Sequence, residues 1–221
     1  MRFFFLSVLF LGCMTPLFAG SSPWYLPIKA TNRQSTEDVA LTQIGPFGLM
    51  RKPRPNIPAH HHTGCDLRRP SENHIDEPVY PAAGGIVVSM RDDGPYAQII
   101  IEHTFDSAKI WTVYEHVAGI TVVYGDTVVP DRPVARFMTR AELDKYGWQF
   151  DHLHFEVMKV APVARSPDRT RPYMHAGTYA LVCYSPRGLA AHYHDPLQFL
   201  QEQWSPPAVG LIPQNTVQSP Q

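Results

Sequence analysis

Residues 152–156 read His152-Leu153-His154-Phe155-Glu156, followed by Val157-Met158-Lys159-Val160. In an extended chain, side chains at i and i+2 share a face. His152 and His154 therefore point one way, and Leu153 and Phe155 point into the opposite layer. Two imidazoles on one face of a strand backed by core residues suit catalysis. Taken alone, the same pattern also suits a solvated polar face.

The surrounding sequence has the same β character. Strand-like runs cover Val79–Met90, Ala97–His103, Ile110–Val117, Val128–Phe137 and Leu153–Val160. β-Branched and aromatic residues dominate them, and Gly-Asp or Asp-Gly pairs separate them. Short strands at close spacing predict an all-β fold, a mainly antiparallel sheet or sandwich with one or two short helices. One helix is expected over Thr139–Tyr146, where Thr139 caps and Glu142 occupies the capping-box position. A second is expected over Pro196–Gln203. Proline accounts for 22 of 221 residues, about a tenth against ~5% on average, which argues against a mainly helical protein.

Two further clusters carry chemistry. His60-His61-His62-Thr63-Gly64-Cys65-Asp66 sets a histidine and a carboxylate four positions apart across a glycine. Both are ordinary zinc ligands, and a turn at Gly64 lets them share an ion. Tyr114-Glu115-His116 places Tyr114 and His116 on one face of a predicted strand. By itself this last signal is weak, and core packing is the default reading of Tyr114.

Composition excludes several classes. Formal net charge is −1, from 19 Lys and Arg against 20 Asp and Glu. That balance gives no basis for nucleic acid as the main partner. Hydrophobic residues at 44% and charged residues at 18% describe a globular chain. Residues 1–19 read as a signal peptide: Arg2, an apolar Phe3–Leu11 too short to span a bilayer, and Ala19 at the cut. The expected location is periplasmic or extracellular. An alternative leader ends before Cys13 and leaves a lipidated anchor. After cleavage at Ala19, Cys65 and Cys183 remain, either as a disulfide in an oxidising compartment or as two buried free thiols.

Taken together, the clusters resemble peptidase family M23, the lysostaphin-type or LytM-type zinc metallopeptidases that cut peptidoglycan. The resemblance runs from about Phe47 to Leu200. Phe47-Gly48 looks like the family's opening. His62-Thr63-Gly64-Cys65-Asp66-Leu67 is similar to its H-x-G-x-D segment, and Val79 to Val87 to its strand ending in A-x-x-G-V. Tyr114-Glu115-His116 resembles Y-x-H, and Gly125-Asp126-Thr127-Val128 resembles G-D-x-V. His152 to Glu156 is its H-x-H-F-E strand, and Asp195-Pro196 its closing pair.

The resemblance implies zinc held by His62, Asp66 and His154, with His116 and His152 as catalytic histidines whose division of roles is open. Three protein ligands leave one tetrahedral position for water, as catalytic zinc sites do. Glu156 is either an orienter of His154 or a surface carboxylate. His60 and His61 are alternative ligands if the register differs. His192, His194 and Asp195 could imitate a second site, although the resemblance makes Asp195 structural. His74, His103 and His175 carry no functional expectation.

The expected organisation is a linker or irregular segment over 20–43, a peptidase domain over 44–200 and a disordered tail over 201–221. A long insertion over 157–194 would be a loop over the groove or an element that binds a cell-envelope protein. Trp148 and Phe150 would narrow the groove. The expected substrate is the peptide cross-link of peptidoglycan, and the sequence is silent on oligomeric state. Two rivals stand: a non-enzymatic scaffold or amidase activator on the same fold, and an exported zinc peptidase acting on a protein.

Overall fold

A computed structural model describes residues 23–55, 57–163 and 183–204. The expected signal peptide and Cys13 lie outside them, as do the middle of the expected insertion and the chain beyond Trp204. Among the described residues the strands are β1 (Met50–Arg51), β2 (His60–His61), β3 (Cys65–Arg68), β4 (Pro78–Val79), β5 (Gly85–Arg91), β6 (Gln98–Phe105), β7 (Ala108–Glu115), β8 (Val117–Ala118), β9 (Thr127–Val128), β10 (Ala135–Phe137), β11 (His152–Met158) and β12 (Tyr193–His194). The helices are α1 (Arg140–Tyr146), α2 (Pro186–His192) and α3 (Pro196–Trp204). No described helix is long and apolar enough to cross a membrane.

A seven-stranded antiparallel sheet organises the molecule, in the order β12-β11-β7-β6-β5-β9 with β3 also paired to β11. One edge of β11 pairs with β7. Its other edge is shared: β3 pairs with His152 to Phe155, and β12 with Val157 and Met158. A smaller sheet, β4-β10-β8, closes the main core.

The alternation read from the sequence sets the two faces of β11. Leu153, Phe155 and Val157 enter the principal core with Cys65, Leu67, Tyr114 and Ile99, all at most 1% exposed. Burying each large apolar side chain contributes roughly 1.5–3 kcal/mol. His152, His154, Glu156 and Met158 face the other way. There Met158 joins Ile100, Trp111, Val113, Leu189, Tyr193 and Cys183 in a second cluster.

Helix α1 forms as its sequence predicts. The Thr139 hydroxyl accepts from the Glu142 N–H, and the Glu142 carboxylate accepts from the Thr139 N–H. Helix α3 runs one residue past the expected Gln203, so the tail expected from residue 201 starts no earlier than 205. Helix α2 was not expected. Ser185 caps it by accepting from the Gly188 N–H, with Pro186 in the first turn, a start signal inside a stretch read as insertion. The described ends of that stretch are built into the fold: β12 extends the main sheet, and Tyr193 is 1% exposed.

The segment before β1 is irregular, and it is a wrap, not a linker. Trp24, Leu26 and Ile28 are buried in the principal core. The Trp24 carbonyl accepts from the Trp204 indole N–H at 2.8 Å, tying this wrap to α3.

The disulfide considered between Cys65 and Cys183 is not formed; both are buried free thiols. Cys65 lies directly opposite Phe155 and shares its face, whereas Cys183 packs in the cluster on the other side of the sheet. Burial raises both thiol pKa values above the ordinary range.

Candidate metal centre and groove

The register of β3 against β11 sets Asp66 directly across from His154. Both side chains therefore lie on the face away from the main core. The chain turns at Thr63-Gly64 and brings His62 beside them. A Cβ at position 64 would run into the Phe155 carbonyl oxygen, come within 2.8 Å of Glu156 Cγ and within 3.0 Å of His154 Nε2. Glycine is required here because the backbone passes so close to β11.

Asp66 Oδ1 lies 2.9 Å from His154 Nδ1 and 3.1 Å from His62 Nε2, and the two nitrogens are 3.0 Å apart. The three residues are 2–7% exposed. Tetrahedral ligands ~2 Å from zinc stand roughly 3.3 Å apart, so this triangle needs only a few tenths of an ångström of opening. Two imidazole nitrogens with one carboxylate oxygen are also a donor set that zinc favours. Among the described residues this is the one group of three metal-ligating side chains that converge.

Neighbouring groups fix the ring orientations. His62 Nδ1 lies 3.0 Å from the Pro46 carbonyl, to which it donates, leaving Nε2 to face Asp66. His154 Nε2 donates to Glu156 Oε1 at 3.1 Å, leaving Nδ1 for the cluster. Glu156 is fully buried and also accepts from the Thr63 hydroxyl. Its carboxylate is thus no surface group; it aligns His154 in the way outer partners align metal-binding histidines.

His116 and His152 stand at the same centre, with ring centroids 4.8 Å apart. His152 Nε2 is 3.6 Å from Asp66 Oδ1. His116 does not share a face with Tyr114, contrary to the strand reading. β7 ends at Glu115, and His116 takes φ +65°, in the left-handed region that few non-glycine residues occupy. That twist swings its ring onto Phe150 and His152. Its Nδ1 donates to the Pro95 carbonyl at 2.5 Å. Tyr114 instead packs in the core, its hydroxyl accepting from the Ala82 N–H and the Thr112 hydroxyl.

Electrostatics mirror the packing. Burial opposes charge on Asp66, yet hydrogen bonds from His154 and His62 outweigh it and hold the carboxyl far below the usual range. Burial likewise works against charge on His154, but Asp66 and Glu156 push its pKa up to about 10. Burial lowers His62. It also takes His116 to about 3, helped by His152, and His152 to about 4 against the pull of Asp66.

These residues form the floor of a groove of about 490 Å³. The lining includes Gln149 and Phe150 and, from β1, β2 and the segment between them, Met50, Arg51, Lys52, Arg54, His60 and His61. Trp148 is half exposed and stacks on His74 instead.

The sequence reading missed three neighbours of the centre. Arg51 reaches Asp66 Oδ2 at 2.7 Å, because β1 pairs with β2 beside the turn to His62. Thr63 holds Glu156, and Glu115, opposite His154 in the register, is buried in the groove floor. Only Thr63 and Glu115 had a local cue, since each lies inside a chemistry-bearing motif. The alternative ligands stay outside the cluster: His60 Nδ1 bonds the Pro58 carbonyl and His61 Nδ1 the Gly48 carbonyl. His192 closes α2, His194 stacks on Phe199, and Asp195 Oδ1 accepts from the Leu197 and Gln198 N–H groups at the start of α3.

Comparison with known proteins gives one family match and several similar solved structures. The family model for peptidase family M23 matches residues 60–167. Among solved structures, a zinc containing peptidase from Vibrio cholerae is similar at 24% identity and TM-score 0.43, over 71% of this chain and 41% of that one. The lysostaphin catalytic domain from Staphylococcus simulans is similar at 18% identity and TM-score 0.42, over 71% and 89%. Whole lysostaphin gives 17% identity and TM-score 0.46, over 89% and 62%. This chain thus spans well under two thirds of the Vibrio cholerae protein. Comparison with curated proteins gives no match. Residues 60–167, which carry His62, Asp66, His116, His152 and His154, thus match peptidase family M23 on a mostly antiparallel fold.

Proposed function

We propose that this chain is an exported zinc-dependent endopeptidase that hydrolyses peptide cross-links of peptidoglycan. One observation carries the reading: His62, Asp66 and His154 converge within hydrogen-bond distance of one another, and His116 and His152 stand together at the open groove beside them. His62, Asp66 and His154 would hold zinc, which when bound supplies Lewis acidity and lowers the pKa of water toward neutrality.

The chain's own residues then have distinct tasks. Phe150 packs against His116 at 5.0 Å and fixes its ring in the groove. With Nδ1 committed to Pro95, His116 works through Nε2. One of the two catalytic imidazoles accepts the proton of the attacking water and returns it to the leaving amine. The other donates an N–H to the oxygen that gains charge at the scissile carbonyl. Glu156 and Thr63 hold His154 in register throughout.

A scaffold or activator would not need these five side chains, and their convergence favours the enzyme. The test is digestion of purified cross-linked sacculi by the zinc-loaded protein, with mass analysis of the released peptides. Products one water heavier per cross-link cut support the reading. Intact sacculi together with no bound zinc would overturn it, and cleavage of proteins but not sacculi would move the substrate.

A further inference from the structure

The groove is asymmetric in charge. Arg51 sits in β1, with Lys52 and Arg54 immediately after it, and all three line the same wall. Lys52 and Arg54 are exposed at the rim. Gln149 and Phe150, also in the lining, are neutral. The acidic residues of the lining, Asp66 and Glu115, are 2% and 1% exposed at the floor. With a formal net charge of −1 over the chain, this wall is a local concentration of cations and not a share of a basic surface.

Pro53, Pro55 and Pro58 restrict the turn between β1 and β2. Arg54 and Ile57 exchange both backbone hydrogen bonds across it, at 2.8 and 3.0 Å. At its base, β1 pairs with β2, and the Arg51–Asp66 ion pair ties it to the centre. A guanidinium has five N–H donors in a planar fork, and Arg51 keeps 15% of its side chain exposed toward the groove while bonded to Asp66. Arg51, already held by its ion pair, loses little further freedom when it binds an anion.

We propose that Arg51, Lys52 and Arg54 form a subsite for a substrate carboxylate next to the scissile bond. The occupant is a peptide bearing free carboxylates close to the amide that is cut, not an uncharged bridge such as oligoglycine. This rests on the endopeptidase reading and specifies which peptide that site takes. Arginine suits the role because its fork matches a carboxylate's two oxygens.

The experiment measures binding and cleavage separately. The probes are a cross-linked stem-peptide dimer with all carboxylates free and the same dimer fully amidated. Each is titrated calorimetrically into zinc-loaded protein, both parent and the double variant Lys52→Gln, Arg54→Gln. These two side chains are exposed and lie outside the converging His62, Asp66 and His154 group, and unchanged zinc content reports an intact centre. The parent should bind the free-carboxylate dimer about tenfold more tightly. The double variant should lose most of that preference, and salt raised to about 0.5 M should erase it. Equal affinities in the parent, no measurable binding of either dimer, or a preference that survives in the variant would overturn the subsite. A preference without any cleavage leaves the subsite standing and counts against the endopeptidase reading alone. Cleavage of both dimers with equal affinity does the reverse.

Discussion

Asp66 Oδ1 and His154 Nδ1 are 88 residues apart in sequence and 2.9 Å apart in space, and strand pairing sets their Cα atoms directly opposite each other. A one-residue slip of β3 against β11 would carry Asp66 to the apolar face. Leu67 opposite Leu153 and Cys65 opposite Phe155, all at most 1% exposed, lock that register by burial. The geometry of the His62, Asp66 and His154 cluster is thus held by the core beneath it.

His154→Ala should lose bound zinc and hydrolysis together, because it removes one corner of the triangle. His116→Ala should keep zinc and lose turnover, by about 10²–10⁴-fold for a proton-transfer group. Metal content by plasma mass spectrometry, alongside peptide-release assays, separates the two. Parent-rate cleavage by His116→Ala would show that the role assignment is mistaken.

Gly64→Ala should damage the centre although alanine is nearly as small. The new methyl meets the Phe155 carbonyl, Glu156 Cγ and His154 Nε2, so β11 or the turn must move. Overpacking of this kind costs roughly 1–3 kcal/mol. A lowered urea midpoint with weakened zinc binding is the expected pair of results. An unchanged midpoint and unchanged zinc affinity would contradict the close approach.

Glu156→Gln should weaken zinc binding by about 10–100-fold with little change in fold. The amide keeps the shape but lacks the charge that favours the Nε2–H tautomer of His154. Competition with a chromogenic chelator reads the affinity. Thr63→Val should act in the same direction more weakly, since it removes one donor to that carboxylate.

Stability should fall in mild acid, in part through His103. This ring is 1% exposed, bonds the Gly84 carbonyl at 2.9 Å and reaches the Thr112 hydroxyl at 2.7 Å. Burial moves its pKa from 6.5 down to about 4. Between those values the unfolded chain binds a proton that the native chain does not. Stability present above pH 6.5 is therefore lost as pH falls toward 4, by up to about 3 kcal/mol. Urea midpoints with chelator present should show a shallower acid decline in His103→Gln than in the parent. Equal slopes would remove His103 as a cause.

Thr139→Ala should cost about 1 kcal/mol, since it deletes one half of the capping box on α1. Glu142 also forms a two-pronged ion pair with Arg136, at 2.6 and 3.0 Å, and Arg136 foremost lowers its pKa from 4.5 to about 2. That contribution is complete above pH 4.5 and fades as pH falls toward 2. The pair is partly exposed to solvent, which screens it, so Glu142→Gln should cost little more than the cap itself. Thermal midpoints at pH 7 and pH 3 check both statements.

Sequence alone determined the features that arise from backbone period and local hydrogen bonding. The alternation of 152–156, the capping box at Thr139 and Glu142 and the strand-rich character each depend on residues a few positions apart. The preference for His62 over His60 and His61 came from the resemblance to the family's H-x-G-x-D spacing, not from a local rule. Tertiary structure decided the features that depend on strand register and on which face a side chain enters. It turned His116 out of its strand through a positive φ, buried Glu156, parted Cys65 from Cys183 across a sheet and drew Arg51 onto Asp66. It also made the segment around Trp24 part of the core. No local pattern encodes these contacts, because each joins residues whose distance is set by the packing of elements far apart in the chain.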